Sequence, residues 1–249
     1  MRFLYYVERN FRVWRKLLAA SIVANLADPL IYLVGLGFGI GTLVGDVDGE
    51  PYVTFLAGGM ICYSTLNSAT AEALYSGFSR LKMQRTWEAV LHAPMTVADV
   101  VLGEWVWAAI KALLSGCAIL LILYLLGIVH GLRPVVVLPL LFLLGLSVGG
   151  VALVMTTLAR NYDFFTYYFT LLLTPMGFLS GVFFPLHNLP GWLQDVAWLL
   201  PLAHATSLSR QILFGGPVTH LVQGCAVLAA YGIVGVVVAT KLAERRLTR

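Results

Sequence analysis

The sequence predicts an all-α membrane protein with six transmembrane helices. Hydrophobic residues make up 59% of its 249 residues and charged residues only 11%, far outside the composition of soluble domains. Several apolar runs reach the ~18 residues that a spanning helix needs. Most Lys and Arg residues lie in segments that this topology places on one side of the membrane, as the positive-inside rule requires. We therefore expect one multi-pass transmembrane domain over residues 1–249, with both termini in the cytoplasm.

Residues 1–20 predict an amphipathic helix that lies in the membrane surface. Its apolar residues recur at helical spacing: Leu4, Val7, Phe11, Trp14 and Leu18. Its basic residues fall on the opposite side: Arg9, Arg12 and Lys16. A basic face suits anionic lipid head groups, so we expect contact with membrane lipids. The alternative is a short tail that faces the solvent.

The first span is predicted from about Ser21 to Ile40, and it contains Asp28 directly before Pro29. An ionisable group within a span is a candidate for the translocation path. Asp28 can equally satisfy backbone groups that Pro29 leaves open. The acidic loop Gly41–Pro51 suits the outer face, and the second span is expected over about Tyr52–Ala73.

The central loop, residues 80–96, is the one long polar break between apolar runs, and its basic residues place it in the cytoplasm. Within it we predict a short helix, Trp87–His92, with Thr86 as its cap and Glu88 in its first turn. Pro94 is expected to end this helix. The helix is either a handle for another protein or a membrane-surface helix that completes the turn.

A third helix is predicted from about Val97 to Val129, opened by a capping box of Thr96 and Asp99. At ~1.5 Å per residue it exceeds the ~30 Å hydrocarbon core, so its start should protrude into the cytoplasm. Trp105 and Trp107 would then lie in the interfacial aromatic belt.

Lys111 is the basic residue placed deepest in a predicted span. It either lines a polar path or pairs with Glu104, Glu72 or Asp28. In the fourth span, about Pro134–Leu158, Gly145 and Gly149 form a small-residue face for close helix packing.

The fifth span begins with a dense aromatic cluster: Tyr162, Phe164, Phe165, Tyr167, Tyr168 and Phe169. These rings either form an ordinary belt with dimer packing or line the translocation path, where non-directional contacts hold cargo without locking it. In the second case we expect Tyr167 or Tyr168 to face the path.

The segment Pro185–Pro217 is cut by prolines into two pieces, Gly191–Leu200 and Leu202–Leu213. Each is too short to cross a bilayer, so we predict two short re-entrant helices on the outer side. The candidates for an outer gate here are Trp192, Trp198, His204 and Arg210. The last span is expected over about Val218–Thr240, followed by a basic tail.

Catalytic motifs are absent from the sequence. It contains no G-x-x-x-x-G-K-[ST], G-x-S-x-G or H-E-x-x-H, and its five histidines form no metal pair. The net charge of +4 arises from residues that flank spans, so we expect no nucleic-acid partner. A conduit or scaffold is therefore favoured over an enzyme, with no metal or cofactor bound by this chain and with energy supplied from elsewhere.

The chain resembles the permease subunits of ABC-2 type exporters, and the resemblance covers essentially all of it. The most specific stretches are TWEAVLHAPM (Thr86–Met95), GEWVWAAIKA (Gly103–Ala112) and LSGVFFPLHNLPGWLQDVAWLLPLAHA (Leu179–Ala205). The branch it most resembles is the nodulation-type permeases that export lipo-chitooligosaccharides; polysaccharide and teichoic-acid exporters are relatives.

The resemblance implies a homodimer, or occasionally a pseudo-dimer, of permeases in the bacterial cytoplasmic (inner) membrane. This dimer would bind two copies of an ABC ATPase, which carries the ATP and Mg²⁺. The helix Trp87–His92 would be the coupling helix in an ATPase cleft. The residues expected to couple are Arg85, Thr86, Trp87, Glu88, Leu91 and His92. We expect an amphiphilic, glycan-bearing lipid as cargo; a drug, an antibiotic or a phospholipid on the same machine is the first rival. A lipid-modifying membrane enzyme and a non-transporting scaffold are rivals of other classes.

Overall fold

The computed structural model describes residues 2–18, 27 and 29–247, and most of them are helical. The described helices are α1 (Phe3–Trp14), α2 (Pro29–Val44), α3 (Tyr52–Ala71), α4 (Thr86–Leu91), α5 (Val97–Leu125), α6 (Val137–Leu158), α7 (Asp163–Tyr168), α8 (Thr174–Leu179), α9 (Gly191–Leu199), α10 (Pro201–Leu213) and α11 (Leu221–Leu247). Wider π-type turns occupy Leu33–Ile40 within α2, extend α3 over Glu72–Ser76 and Ser79–Met83, and join α7 to α8 over Phe169–Leu173. The strands β1 (Asp46–Val47) and β2 (Glu50–Pro51) pair as an antiparallel hairpin before α3.

Within the described residues, three helical segments are long and apolar enough to cross a membrane: Val97–Leu125, Arg133–Leu158 and Leu221–Leu247. This confirms the prediction of an all-α membrane protein, while the count of six spans stays a prediction. The predicted start of the first span and Asp28 lie outside the described residues.

Helix α3 occupies the centre of the bundle, where residues on all of its sides are buried. It packs on α2, α5, α6 and α10. Its polar residues are satisfied within the bundle: the Ser64 and Ser115 hydroxyls hydrogen-bond at 2.8 Å, and the Ser68 hydroxyl donates to the Lys111 carbonyl at 3.2 Å. An unsatisfied polar group would be costly in such a core, so these bonds fix the register of α3 against α5.

Helices α5, α6 and α11 approach one another closely through glycines. A Cβ built on Gly145 would lie 2.9 Å from the Ala112 Cβ, and one on Gly150 would lie 2.7 Å from the Gly232 carbonyl oxygen. Small residues are what permits backbones to come this near in a membrane bundle. The predicted packing face of Gly145 is thereby confirmed.

Two helix ends differ from the predictions. Helix α5 ends at Leu125 and not at Val129, because Gly127 takes the left-handed conformation, with φ of 68°, that terminates helices. Helix α11 runs on to Leu247, so most of the predicted basic tail is helical. The capping box of Thr96 and Asp99 at the start of α5 is present as predicted.

The outer segment contains the two predicted short helices, α9 and α10, which meet at Pro201. Helix α9 is largely exposed, whereas most residues of α10 are buried against α3, α6 and α11. The two pieces therefore differ: α10 is part of the bundle core and α9 lies on its surface.

Candidate functional site

Helix α4 begins directly after a sharp reversal of the chain. Arg85, in the residue position that precedes the helix, has a left-handed φ of 48°, and no side chain caps the helix. Thr86 is the first helical residue, and its hydroxyl donates to Gln84 Oε1 at 3.3 Å. The prediction that Thr86 caps the helix is therefore wrong, because the reversal at Arg85 starts the helix one residue earlier.

Helix α4 has one anchored side and one exposed side. Trp87 is fully buried and Thr86 nearly so. Arg85, Glu88 and His92 are exposed, and Leu91 is half-buried against the core. The predicted coupling residues thus fall into two groups. Thr86 and Trp87 anchor the helix to the bundle, whereas Arg85, Glu88 and His92 are accessible to a partner protein.

The carboxylate of Glu104 lies beneath α4 and joins four elements. It is 1% exposed and accepts hydrogen bonds from Trp87 Nε1 at 3.0 Å and from the Tyr6 hydroxyl at 2.7 Å. Arg80 adds a two-pronged contact, with Nε 2.7 Å from Oε1 and Nη2 2.5 Å from Oε2. This carboxylate on α5 therefore ties together α1, the end of α3 and α4.

Glu72 forms the second half of the same charged cluster. It accepts from Arg80 Nη2 at 2.8 Å and from Trp107 Nε1 at 2.9 Å, and Lys111 Nζ lies 3.8 Å from its other oxygen. Lys111 pairs with one of its predicted partners, Glu72. Trp107 is only 1% exposed, so its predicted place in the aromatic belt is wrong, because a buried carboxylate takes its indole N–H.

Arg80 is the member of the charged cluster that sequence reasoning did not assign to it. The predicted loop began at Arg80, yet α3 continues in π-type turns to Met83 and carries the guanidinium inward. Burial by itself lowers the pKa of Arg80, but Glu104 and Glu72 together outweigh burial, so its pKa lies above the ordinary value and it stays charged. A sequence signal existed: carboxylates near the ends of two neighbouring spans require a cation between them.

Tyr6 on α1 serves the cluster as a permanent donor. Its burial, and next the negative charge of Glu104, raise the pKa of Tyr6 above its ordinary value. The phenol therefore stays protonated and donates to Glu104. This bond holds the amphipathic helix on the bundle through Tyr6, whereas the predicted apolar residues Leu4 and Phe11 are about half exposed.

The aromatic cluster of the fifth predicted span divides into buried and exposed rings. Phe165 and Tyr168 are buried inside the protomer, at 0% and 3% exposure, whereas Tyr162 and Tyr167 are 39% and 66% exposed. The ring of Tyr75 on α3 packs 5.4 Å from the ring of Phe165. Tyr75 also stacks on Tyr162 and on the partly buried Phe169. Among the path candidates that the structure describes, Tyr167 is the most exposed.

The outer-gate candidates also separate into two kinds. Trp192 and Trp198 on α9 are exposed, at 68% and 44%. His204 is buried, with Nε2 2.8 Å from the Trp198 carbonyl oxygen. Arg210 donates to the Phe55 carbonyl at 3.1 Å and to the carbonyls of the Gly181–Val182 turn, and its guanidinium covers the Phe55 ring at 3.7 Å. Arg210 of α10 therefore connects this helix to α3 through Phe55.

The described part of the chain contains no group of His, Cys, Asp or Glu that could hold a metal ion. Both carboxylates of its charged cluster, Glu72 and Glu104, are paired with Arg80. The exposed face of α4 lies next to Arg246 at the end of α11. The arrangement suits the transfer of a displacement between a partner and the bundle.

Residues 1–214 match the family described as ABC-2 type transporter. This chain belongs to the ABC-2 type transporter family. It is 45% identical to nodulation protein J of Rhizobium meliloti (strain 1021) over 96% of this chain and 92% of the relative. It is 46% identical to nodulation protein J of Rhizobium leguminosarum bv. viciae over 97% and 93%. It is 27% identical to the inner membrane transport permease YadH of Escherichia coli (strain K12) over 96% and 91%.

Family membership fixes the general role of the chain. It is an integral membrane subunit of a transporter and is not itself catalytic. The family also implies an ABC ATPase as a partner. Helix α4 and the Glu104 cluster are accordingly considered below as parts of a transporter.

Proposed function

We propose that this chain is the permease subunit of an ATP-driven exporter that moves an amphiphilic, glycan-bearing lipid outward across the bacterial inner membrane. Two copies of the chain form a dimer and bind two copies of a separate ATPase chain, which holds the ATP and Mg²⁺. Support for the cargo class comes from the relatives named nodulation protein J, at 45% and 46% identity over nearly the whole chain, and from the resemblance to lipo-chitooligosaccharide exporters.

The main structural support for this proposal is that α4 has one face buried in the bundle and one face exposed to solvent. Its exposed residues, Glu88 and His92 among them, are available to the ATPase, while Trp87 is fixed to Glu104 by a 3.0 Å hydrogen bond. Because Glu104 lies on α5 and Arg80 connects it to Glu72 on the continuation of α3, a force on α4 reaches two helices of the bundle. Helix α4 is thus the coupling helix of this proposal.

In the proposed cycle, this connection carries motion from the ATPase into the helix bundle. ATP binding brings the two ATPase chains together and shifts both coupling helices. The cluster of Glu72, Arg80, Glu104 and Lys111 moves as a unit, because each of these buried charges would lose an ion-pair partner if one helix moved alone. The inner ends of α3 and α5 therefore shift together and change access along the path, where the exposed Tyr167 offers a ring for stacking on cargo.

The test reverses one charge on the exposed side of the coupling helix. Glu88→Arg is expected to lower ATPase activity stimulated by lipo-chitooligosaccharide by at least about tenfold, since a like charge in a protein interface costs several kcal/mol. The Glu88 side chain is exposed and makes no hydrogen bond or ion pair within the described chain, so the permease should fold normally. The measurement is ATP hydrolysis by the complex in proteoliposomes, with and without cargo.

Asp195→Arg is the matched control, because Asp195 is an exposed carboxylate on α9, far along the chain from α4. It should leave stimulation at the wild-type level. Wild-type stimulation in a folded Glu88→Arg variant would refute the coupling role of α4. Absence of any stimulation of the wild-type complex by lipo-chitooligosaccharide would refute the cargo class alone.

A further inference from the structure

A cavity of about 520 Å³ lies beside the charged cluster, between α1, the continuation of α3 and α5. Its volume is typical of small-ligand sites. The coupling mechanism uses the cluster itself but leaves this space unassigned. Hydroxyl and amide side chains form much of its uncharged polar lining: Asn10, Tyr75, Ser76, Ser79 and Gln84.

The ion pairs of the charged cluster leave the cavity close to neutral. Arg80 pairs with both Glu72 and Glu104, and Lys111 Nζ lies 3.8 Å from Glu72. These two cations and two carboxylates therefore balance one another. Arg9 is the one further charged residue among the described residues of the lining, and it is partly exposed to solvent. The cavity therefore suits a neutral, polar ligand better than a highly charged one.

Three uncharged polar groups of the lining have no hydrogen-bond partner among the described residues. Asn10 is 3% exposed, and its Oδ1 accepts from Arg9 Nη1 at 2.9 Å, which leaves its buried Nδ2 without an acceptor. The hydroxyls of Tyr75 and Ser76 form no hydrogen bond within the same part of the chain. An unsatisfied buried donor destabilises the free protein, so the Asn10 position calls for an acceptor from a ligand.

Tyr75 connects the cavity to the aromatic cluster of the fifth predicted span. Its ring is 43% exposed and stacks at 6.2 Å on the ring of Tyr162 and at 5.9 Å on that of Phe169. The indole of Trp14 lines the cavity as well. Aromatic rings beside hydroxyl and amide groups match a sugar, whose C–H faces make dispersion contacts and whose hydroxyls both donate and accept hydrogen bonds.

We propose that this cavity binds the glycan head group of the cargo before transport. The inference rests on the proposed function and assigns the site at which that cargo is first held. Asn10 Nδ2 donates to an acetamido or hydroxyl oxygen of the glycan, and the hydroxyls of Tyr75 and Ser76 exchange hydrogen bonds with sugar hydroxyls. The ring of Tyr75 then leads the glycan toward Tyr162, at the start of the proposed path.

The experiment uses tetra-N-acetylchitotetraose, a neutral tetrasaccharide without an acyl chain, as the probe. Isothermal titration calorimetry measures its binding to the full chain in nanodiscs of phosphatidylcholine. The wild type should bind the tetrasaccharide, and Asn10→Leu and Ser76→Ala should each weaken binding about fivefold, the effect of losing one hydrogen bond. Asn10→Leu should not lower the melting temperature, because leucine removes a donor that has no acceptor in the free protein.

Asn188→Leu is the matched control, because it makes the same change at an exposed position of the outer segment and should bind like the wild type. Absence of binding by the wild type, or equal binding by the wild type and both cavity variants, would overturn the proposal. Displacement of the tetrasaccharide by inorganic phosphate would overturn the assignment to a neutral ligand. If lipo-chitooligosaccharide nevertheless stimulates the ATPase of the wild-type complex, the proposed function stands and only its assignment to this cavity fails.

Discussion

Glu104 shows how one side chain can determine the arrangement of several helices. Its two oxygens receive hydrogen bonds from Tyr6, Arg80 and Trp87, which come from three different elements. A carboxylate buried to 1% exposure is tolerated only when such partners neutralise and solvate it. The geometry at this end of the bundle therefore depends on the charge of Glu104 more than on its volume.

Glu104→Gln tests this dependence, because it keeps the shape and removes the charge. We expect it to lower the free energy of unfolding by about 3 kcal/mol, since breaking a buried ion pair leaves its partner, Arg80, incompletely neutralised. Thermal unfolding of the purified permease measures the change. Glu50→Gln, at an exposed carboxylate of β2, is the control and should be neutral. A neutral Glu104→Gln would mean that Arg80 and Glu72 suffice without it.

At the same scale, the sequence could predict the type of partner but not the partner itself. The sequence allowed Lys111 either a place on a polar path or one of three carboxylate partners, and in the structure Lys111 pairs with Glu72. It could not place Arg80, because the positive-inside rule counts a cation near a span end without saying whether its side chain points to water. Nor could it place Trp107, since a tryptophan near a span end suits a belt and a buried hydrogen bond equally well.

Helix α1 is attached to the bundle by a close backbone approach as well as by hydrogen bonds. A Cβ on Gly103 of α5 would lie 2.7 Å from Tyr6 Cδ1 and 3.0 Å from Tyr6 Cβ. Trp14 continues the contact, with its ring 5.9 Å from that of Trp107. The helix is thus held against α5 near its start by Tyr6 and near its end by Trp14.

Gly103→Ala is therefore expected to displace α1. The added methyl group meets a tyrosine that its bond to Glu104 holds in place, and overpacking of this kind costs about 1–3 kcal/mol. Hydrogen–deuterium exchange should rise in Phe3–Trp14, together with a lower melting temperature. Gly35→Ala is the control, because nothing lies within 4 Å of a Cβ at Gly35. Unchanged exchange in α1 would show that Tyr6 can yield without undocking the helix.

At the scale of elements, local signals predicted local structure well. The capping box at Thr96 and the proline-bounded pair α9 and α10 were confirmed, because each depends on side chains close in sequence. The start of α4 was mispredicted, because a left-handed Arg85 has no signal as strong as a glycine. The burial of α10 depends on contacts with α3 and α11 that no local pattern encodes.

Across the whole molecule, two sets of contacts define the opposite ends of the bundle. At the α4 end, Lys82 donates to the Arg160 carbonyl, and Arg246 donates to the Thr157 carbonyl at 2.8 Å. At the other end, Arg133 donates to the Gly216 carbonyl at 2.7 Å, and His187 lies 3.9 Å from Asp48. Segments that the sequence assigned to one face of the membrane are therefore neighbours in space.

The positive-inside rule turns this arrangement into a prediction of orientation. The α4 end gathers the basic residues of the central loop and of α11, so we expect it in the cytoplasm. Single cysteines replacing Asn188 and Thr219, both exposed near the outer segment, should react with a membrane-impermeant maleimide in intact spheroplasts. A cysteine replacing the exposed His92 should react only after permeabilisation. The native cysteines are first replaced by alanine: Cys62, Cys117 and Cys225.

This labelling separates two features of the topology. Reaction of the Asn188 and Thr219 positions from opposite sides would mean that the chain crosses the membrane between them, against the re-entrant form of α9 and α10. Reaction of both from the inside, with His92 labelled from the outside, would invert the whole molecule and leave the helix pair unchanged. Only labelling of Asn188 and Thr219 from outside and of His92 from inside agrees with a coupling helix that meets an ATPase in the cytoplasm.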